Sequence, residues 1–193
     1  MKQVLAPLAV VLMALSASAH AEWRHYVAVG HVTEALPMAP LNASVRVEFS
    51  FDDAQSPAVS IGATDGSAYG VANYVFASRV KLSVNRHTVV AEKLYADVTN
   101  LGGSDGASIS LYGAPIVLDG TTFPVGSLGF TLASPAGKRV FKGTAIPHQF
   151  NIKRLSAPNS NYGWVQTDGT GNGGLLAFKL DSIKEVRGPG CDD

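Results

Sequence analysis

From Val45 to Asp53 the chain reads Val-Arg-Val-Glu-Phe-Ser-Phe-Asp-Asp, and no other stretch limits the fold so tightly. Val45, Val47, Phe49 and Phe51 fall on one side of an extended strand, and Ser44, Arg46, Glu48 and Ser50 fall on the other. Strict period-two alternation is the mark of a half-buried strand, and the Asp52-Asp53 pair marks its end. Burying four such side chains is worth about 1.5–3 kcal/mol each, roughly 6–12 kcal/mol together. That is comparable to the net stability of a whole domain, about 5–15 kcal/mol. A one-residue slip would expose all four and carry Arg46 and Glu48 inward, so the register is firmly specified.

The other segments read as more strands around this one. Trp23–Ala35 opens the series, and Leu36-Pro37-Met38-Ala39-Pro40 breaks the pairing because proline has no donor for a ladder. Ala54–Ser67 is expected to be a loop rich in Ser, Ala, Asp and Gly. Asn73–Phe76 and Ser78–Val84 follow, then a tight turn at Asn85-Arg86 into Thr88–Ala91. Tyr95–Asn100, Ser108–Tyr112 and Ile116–Leu118 come next, with Asp119-Gly120 as a hairpin turn. Leu128–Ala133, Arg139–Phe141, Phe150–Leu155, Trp164–Thr167 and Leu175–Val186 complete the expected strands. With 20 Gly, 10 Pro, 16% charged residues and no sustained helical period, a β/α architecture is disfavoured. The expected fold is all-β, an antiparallel jelly-roll-like β-sandwich of about ten strands, with a β-barrel as the alternative.

The first residues read as an export signal. Lys2 is the single charge before Glu22, Val4–Leu15 is apolar except for Pro7, and Ala19-His20-Ala21 fits the small-x-small cleavage rule. Cleavage is expected after Ala21, or alternatively after Ala19. The apolar run is shorter than the roughly 20 residues a membrane span needs. The expected division is therefore a signal peptide at 1–21, one β-sandwich domain at 22–187 and a flexible tail at 188–193, secreted or periplasmic and without a membrane span. The full chain has 15 basic and 15 acidic residues; removing Lys2 leaves 14 against 15, a formal charge of −1. Such a balance leaves no basic stripe for nucleic acid. The single cysteine, Cys191, cannot form an internal disulfide, so the core alone must hold the domain.

The order of motifs resembles exported bacterial proteins of the PEP-CTERM type. Gly30-His31-Val32-Thr33 and the strand ending Phe51-Asp52 resemble the family's opening pair. Ser78–Val84, then Asp97-Val98-Thr99-Asn100 with Ser108-Ile109-Ser110-Leu111, resemble its middle strands, and Gly173–Ile183 resembles its closing strand. The family's C-terminal sorting signal, a Pro-Glu-Pro motif with an apolar helix and a basic end, is not present; the chain ends Gly188-Pro189-Gly190-Cys191-Asp192-Asp193. The resemblance implies export, an all-β domain and association with extracellular matrix or polysaccharide. It implies no catalytic residues.

Several residue groups are candidates for chemistry. Gly102-Gly103-Ser104-Asp105-Gly106 matches a hydrolase nucleophile elbow, but that motif needs a strand-to-helix turn and a β pattern follows here. His25 and His31 share strand parity, yet six residues of strand is about 20 Å, too far for one metal ion. Glu48 and Asp52 share a face and could serve as a glycoside-hydrolysing carboxylate pair. Asp168-Gly169-Thr170-Gly171-Asn172 and Asp52-Asp53 offer hard oxygen ligands, so Asp168 and Asn172 are candidate Ca²⁺ ligands. Asn159–Trp164 mixes amides with aromatics in an expected loop, where Asn161, Tyr162 and Trp164 would suit stacking on sugar rings. Asn42-Ala43-Ser44 is a formal glycosylation sequon. No catalytic residue is assigned. The expectation is a non-enzymatic secreted module associated with extracellular polysaccharide or matrix, the alternatives being a polysaccharide-acting hydrolase and a periplasmic assembly subunit.

Overall fold

A computed structural model describes residues 23–52, 54–62, 70–100, 107–135, 143–147, 149–155, 157, 160–168 and 173–186. The expected signal peptide, the Gly102–Gly106 motif, the Arg139–Phe141 strand and the C-terminal tail lie outside them.

Among the described residues thirteen strands form: β1 (Trp23–Glu34), β2 (Ser44–Asp52), β3 (Val59–Gly62), β4 (Gly70–Phe76), β5 (Val80–Val84), β6 (His87–Ala91) and β7 (Leu94–Asn100), then β8 (Ala107–Gly113), β9 (Ile116–Leu118), β10 (Thr121–Phe123), β11 (Ser127–Ala133), β12 (Tyr162–Gln166) and β13 (Gly174–Val186). All pairings are antiparallel, in one continuous sheet of order β10-β9-β6-β5-β2-β1-β13-β12-β11-β8-β7-β4-β3.

This sheet is folded over on itself. If it were flat, β2 and β11 would stand about 19 Å apart, four spacings of roughly 4.8 Å. Instead the rings of Phe49 and Phe130 meet at 5.5 Å. Phe51 likewise reaches Phe76 of β4 at 5.7 Å. The half from β10 to β1 therefore packs face to face on the half from β13 to β3. The fold is all-β, an antiparallel sandwich, and it is jelly-roll-like in that successive hairpins are dealt alternately to the two halves. β3 and β10 end the sheet at opposite edges without pairing, so the barrel alternative does not hold.

The crease runs along β1 and β13, the longest strands. Their register shifts at Val29/Gly30 and Val32/Glu34. Bulges bend and twist a strand locally, as a crease requires. A Cβ on Gly30 would lie 2.0 Å from the Lys179 carbonyl oxygen, so only glycine permits this close approach.

The alternation of β2 is realised in full: Val45, Val47, Phe49 and Phe51 are buried, and Ser44 and Arg46 are exposed. Asp52 ends the strand by accepting a hydrogen bond from the Ala54 amide at 2.9 Å. Asp119 (φ 46°) and Gly120 (φ 87°) form the expected hairpin turn between β9 and β10, and the positive φ at both is what such a turn demands.

Two expected features are corrected. Phe150–Leu155 is not a strand: the amides of Arg154 and Leu155 both bond to the Asn151 carbonyl, forming a turn. Phe150 and Leu155 are both buried, and an odd spacing of five would place them on opposite faces of a strand. The turn resolves that conflict. Conversely, the expected loop Ala54–Ser67 contains β3, whose four residues are all exposed and which pairs only with β4. An edge strand with no buried side carries no alternation of burial to read.

Candidate functional site

The candidate site is built on the outward face of the second half of the sheet. In β12, Gly163 and Val165 point inward, so Tyr162 and Trp164 point out. Both expected ligand-binding residues therefore sit on a strand: Trp164 in the strand expected from it onward, and Tyr162 not in the expected loop but two residues ahead in the same strand. Asn161 does not join them. It is buried, with φ 65°, its amide bonds to the Thr131 carbonyl, its own carbonyl receives the Leu180 amide, and its side-chain oxygen accepts from Ser160. Asn161 starts the strand.

Strand register assembles the rest. Trp164 faces Gly129 of β11, Gly129 faces Tyr112 of β8, and Tyr112 faces Tyr95 of β7. The Tyr95 and Tyr112 rings stack at 5.3 Å with planes 15° apart. Gly129 is the gap in this row. A Cβ there would meet Trp164 Cζ2 at 3.0 Å and Tyr112 Cβ at 2.6 Å, so the missing side chain lets the indole lean across towards Tyr112. Trp164 Nε1 donates to Ser127 Oγ at 3.3 Å and Gln166 Nε2 donates to the same oxygen at 2.9 Å, which fixes the same edge of the indole. From β12 to β7 the row crosses three strand spacings, about 14 Å.

A polar row runs beside the aromatic one: Lys179, Tyr162, Thr131, Ser110, Asp97 and Asn73, from β13 to β4. Lys179 Nζ lies 5.6 Å from the centre of the Tyr162 ring, within cation–π range. Ser110 and Thr131 hydroxyls are 3.0 Å apart, and Asn73 Nδ2 donates to Asp97 at 2.6 Å. Burial, and then the charge of Asp97 and the hydrogen bond the phenol donates to it, raise the Tyr112 pKa above its ordinary value. Tyr112 is thus a neutral donor at any physiological pH. The whole face offers aromatic surface flanked by hydroxyl, amide and carboxylate groups.

Tyr95, Tyr112, Asp97, Asn73 and Gly129 were not singled out in the sequence. A signal for the two tyrosines was present: each sits on the polar side of its own strand, beside Asp97 and Thr99 in one case and Ser108 and Ser110 in the other. Aromatics placed there cannot be core residues. That they meet each other depends on register between strands and is not visible locally.

The other candidates come out as follows. Asp168 is half-buried and follows Thr167, whose amide donates to the Gly173 carbonyl at 3.0 Å. Asn172 and Asp53 lie outside the described residues. Among the described residues no three His, Cys, Asp or Glu side chains cluster as metal ligands would. Glu48 and Asp52 stand four residues apart on one strand, about 13 Å. Paired glycosidase carboxylates need roughly 5–9.5 Å. Glu48 also accepts from Arg46 Nε at 2.9 Å, so this pair does not form a hydrolytic centre. Among the described residues no helix is long and apolar enough to cross a membrane. Compared with protein-family models, with curated proteins and with solved structures, the chain gives no match.

Proposed function

We propose that this protein is a non-enzymatic, exported β-sandwich module that associates with polysaccharide of an extracellular matrix, using the aromatic face as its contact surface. The observation that carries the reading is the row Trp164–Tyr112–Tyr95, levelled by Gly129 and edged by polar groups. Sugar rings have apolar faces that stack on aromatics and hydroxyl edges that need donors and acceptors, and both are supplied here side by side. The motif resemblance to PEP-CTERM-type proteins and the leader-like N-terminus support export and a matrix setting. The Asp168–Asn172 loop adds calcium as a candidate accessory ion.

The test is affinity electrophoresis of the protein through gels containing a panel of neutral polysaccharides, with and without Ca²⁺. At least one glycan should retard the protein, and Trp164→Ala or Tyr112→Ala should weaken that retardation about tenfold, the scale of losing a buried aromatic anchor. Migration unaffected by every glycan would sink the proposal.

One observation favours a second reading, an assembly subunit that pairs through a sheet edge. On the edge strand β3, Val59 is 51% and Ile61 63% exposed, and natural proteins usually blunt such edges. Sedimentation showing a concentration-dependent oligomer that Ile61→Lys dissolves would favour it over the first.

A further inference from the structure

β13 outruns its neighbour β12. The ladder between them reaches Lys179, which faces Tyr162, and one further bond runs from the Leu180 amide to the Asn161 carbonyl at 2.7 Å. There Asn161, at φ 65°, turns the chain out of the ladder, and the Ser160 amide bonds to the Ala157 carbonyl instead. β13 runs on from Asp181 to Val186 with β1 as its one neighbour. Among the described residues no backbone hydrogen bond outside the β1 ladder reaches this stretch. Asp181, Lys184, Glu185 and Val186 are exposed. At about 3.3 Å per residue this is roughly 20 Å of strand, with one edge open at an interior position of the sheet order.

A cavity of about 580 Å³ lies along that edge. Every residue from Asp181 to Glu185 lines it, and so does every residue from Gln149 to Lys153 in the facing turn. Successive strand residues point to opposite faces. A cavity on one face of β13 would meet every second residue, so one that meets all of them lies against the backbone edge. The other edge is closed by the ladder to β1, which leaves the β12 side. The floor is apolar: Phe150 belongs to the core, Ile152 and Ile183 pack against it, and Tyr26 meets Phe150 edge to face at 5.2 Å. The formal charges of the lining cancel. Lys153 and Lys184 stand against Asp181 and Glu185, and the two carboxylates bind His31 at 2.9 Å and Arg24 at 3.0 Å.

We propose that this edge is a binding site for an extended peptide segment of a partner protein, added as a strand antiparallel to β13 and in line with β12. An open edge presents N–H and C=O groups at the strand's own repeat, and a second strand is the ligand that meets them in turn. The neutral lining and apolar floor select an uncharged segment with apolar side chains at alternate positions. A peptide residue opposite Ile183 shares its inward face and lies over Ile152 and Phe150, while residues opposite Ser182 and Lys184 point to the outer face. The site is separate from both the aromatic face and the β3 edge.

The test is an amide-resolved NMR titration of the protein with a synthetic peptide of alternating valine and threonine, carrying one lysine at each end. The peptide should shift amides of 149–153 and 181–186 saturably and slow hydrogen exchange within 181–186. A central proline in the peptide should weaken binding at least tenfold. Methylating alternate backbone nitrogens of the peptide should abolish binding for the set whose N–H groups face β13 and spare the other set. Ile183→Thr, which keeps a β-branched strand residue, should weaken binding about tenfold; the methylated peptides decide the matter without any variant. No saturable response, equal binding of both methylated sets, full affinity in Ile183→Thr, or shifts confined to Val59–Gly62 overturns the proposal. Amides of 181–186 that shift on dilution of the protein alone would assign the edge to a second copy of the chain and overturn it as well.

Discussion

The two outward faces of the sandwich are built from the same kind of strand yet carry opposite chemistry. On the half that holds β2, outward groups pair with one another: Arg46 with Glu48 at 2.9 Å and Arg79 with Glu92 at 2.8 Å. On the half that holds β12, the outward row is Trp164, Tyr112 and Tyr95, with hydroxyls and amides beside it. The inward faces of both halves are predominantly apolar. Burial therefore dictates one side of every strand and is silent about the other. The ion-paired face has satisfied its charges internally, and exposed pairs of this kind contribute only about 0–1 kcal/mol each. The aromatic face keeps apolar planes partly in water with no fold-level reason to do so, and that makes it the layer where a ligand has something to gain.

The sharpest way to break the comparison is to cross from an outward face to the inward one. Phe51 is fully buried and joins the halves through Phe76 while stacking on Tyr26 at 5.0 Å. Phe51→Ala should cost about 3–5 kcal/mol, read as a drop in the urea midpoint. Trp164→Ala, on the outward face, should cost far less. Equal losses from the two would mean that Trp164 is a core residue after all and would remove the case for a binding face.

Gly129→Ala comes next. The added Cβ would stand 2.6 Å from Tyr112 Cβ and 2.7 Å from the Leu111 carbonyl oxygen, so something in the row must move. The expected destabilisation is about 1–3 kcal/mol, typical of overpacking. The indole should also be lifted off its seat. In a Trp23→Phe background, where Trp164 is the remaining tryptophan, its fluorescence should shift to the red. An unchanged spectrum would show that Gly129 does not seat the indole.

These residues also show how far the sequence could be read. β2 was legible to within a residue because four alternating apolar side chains leave one register. Trp164 and Tyr162 were legible as aromatics with polar neighbours, and Trp164 also as the start of a strand, but Tyr162 was not legible as a strand residue. Gly129 and Tyr112 were not legible as a site, because each lies in a different strand and only cross-strand register brings them beside Trp164. The Phe150–Leu155 turn was missed for a related reason: both apolar ends face the core only if the backbone leaves the extended state. Alternation reports what a strand buries; it does not report which strand lies alongside.

The smallest expected effect belongs to the His87–Asp119 pair at the start of β6, in the half that holds β2. Asp119 receives a hydrogen bond from His87 and another from the Thr88 amide at 2.9 Å, and these hold its carboxyl below the usual aspartate range. A carboxyl whose folded pKa is depressed stabilises the fold above its unfolded value, near pH 4, and loses that contribution as pH falls through the lower folded value. Stability measured by urea unfolding should therefore decline on the acid side of pH 4, and Asp119→Asn should remove a small part of that decline while leaving glycan retardation untouched. If Asp119→Asn instead altered glycan retardation as strongly as Tyr112→Ala, the division between a self-satisfied face and a binding face would be wrong.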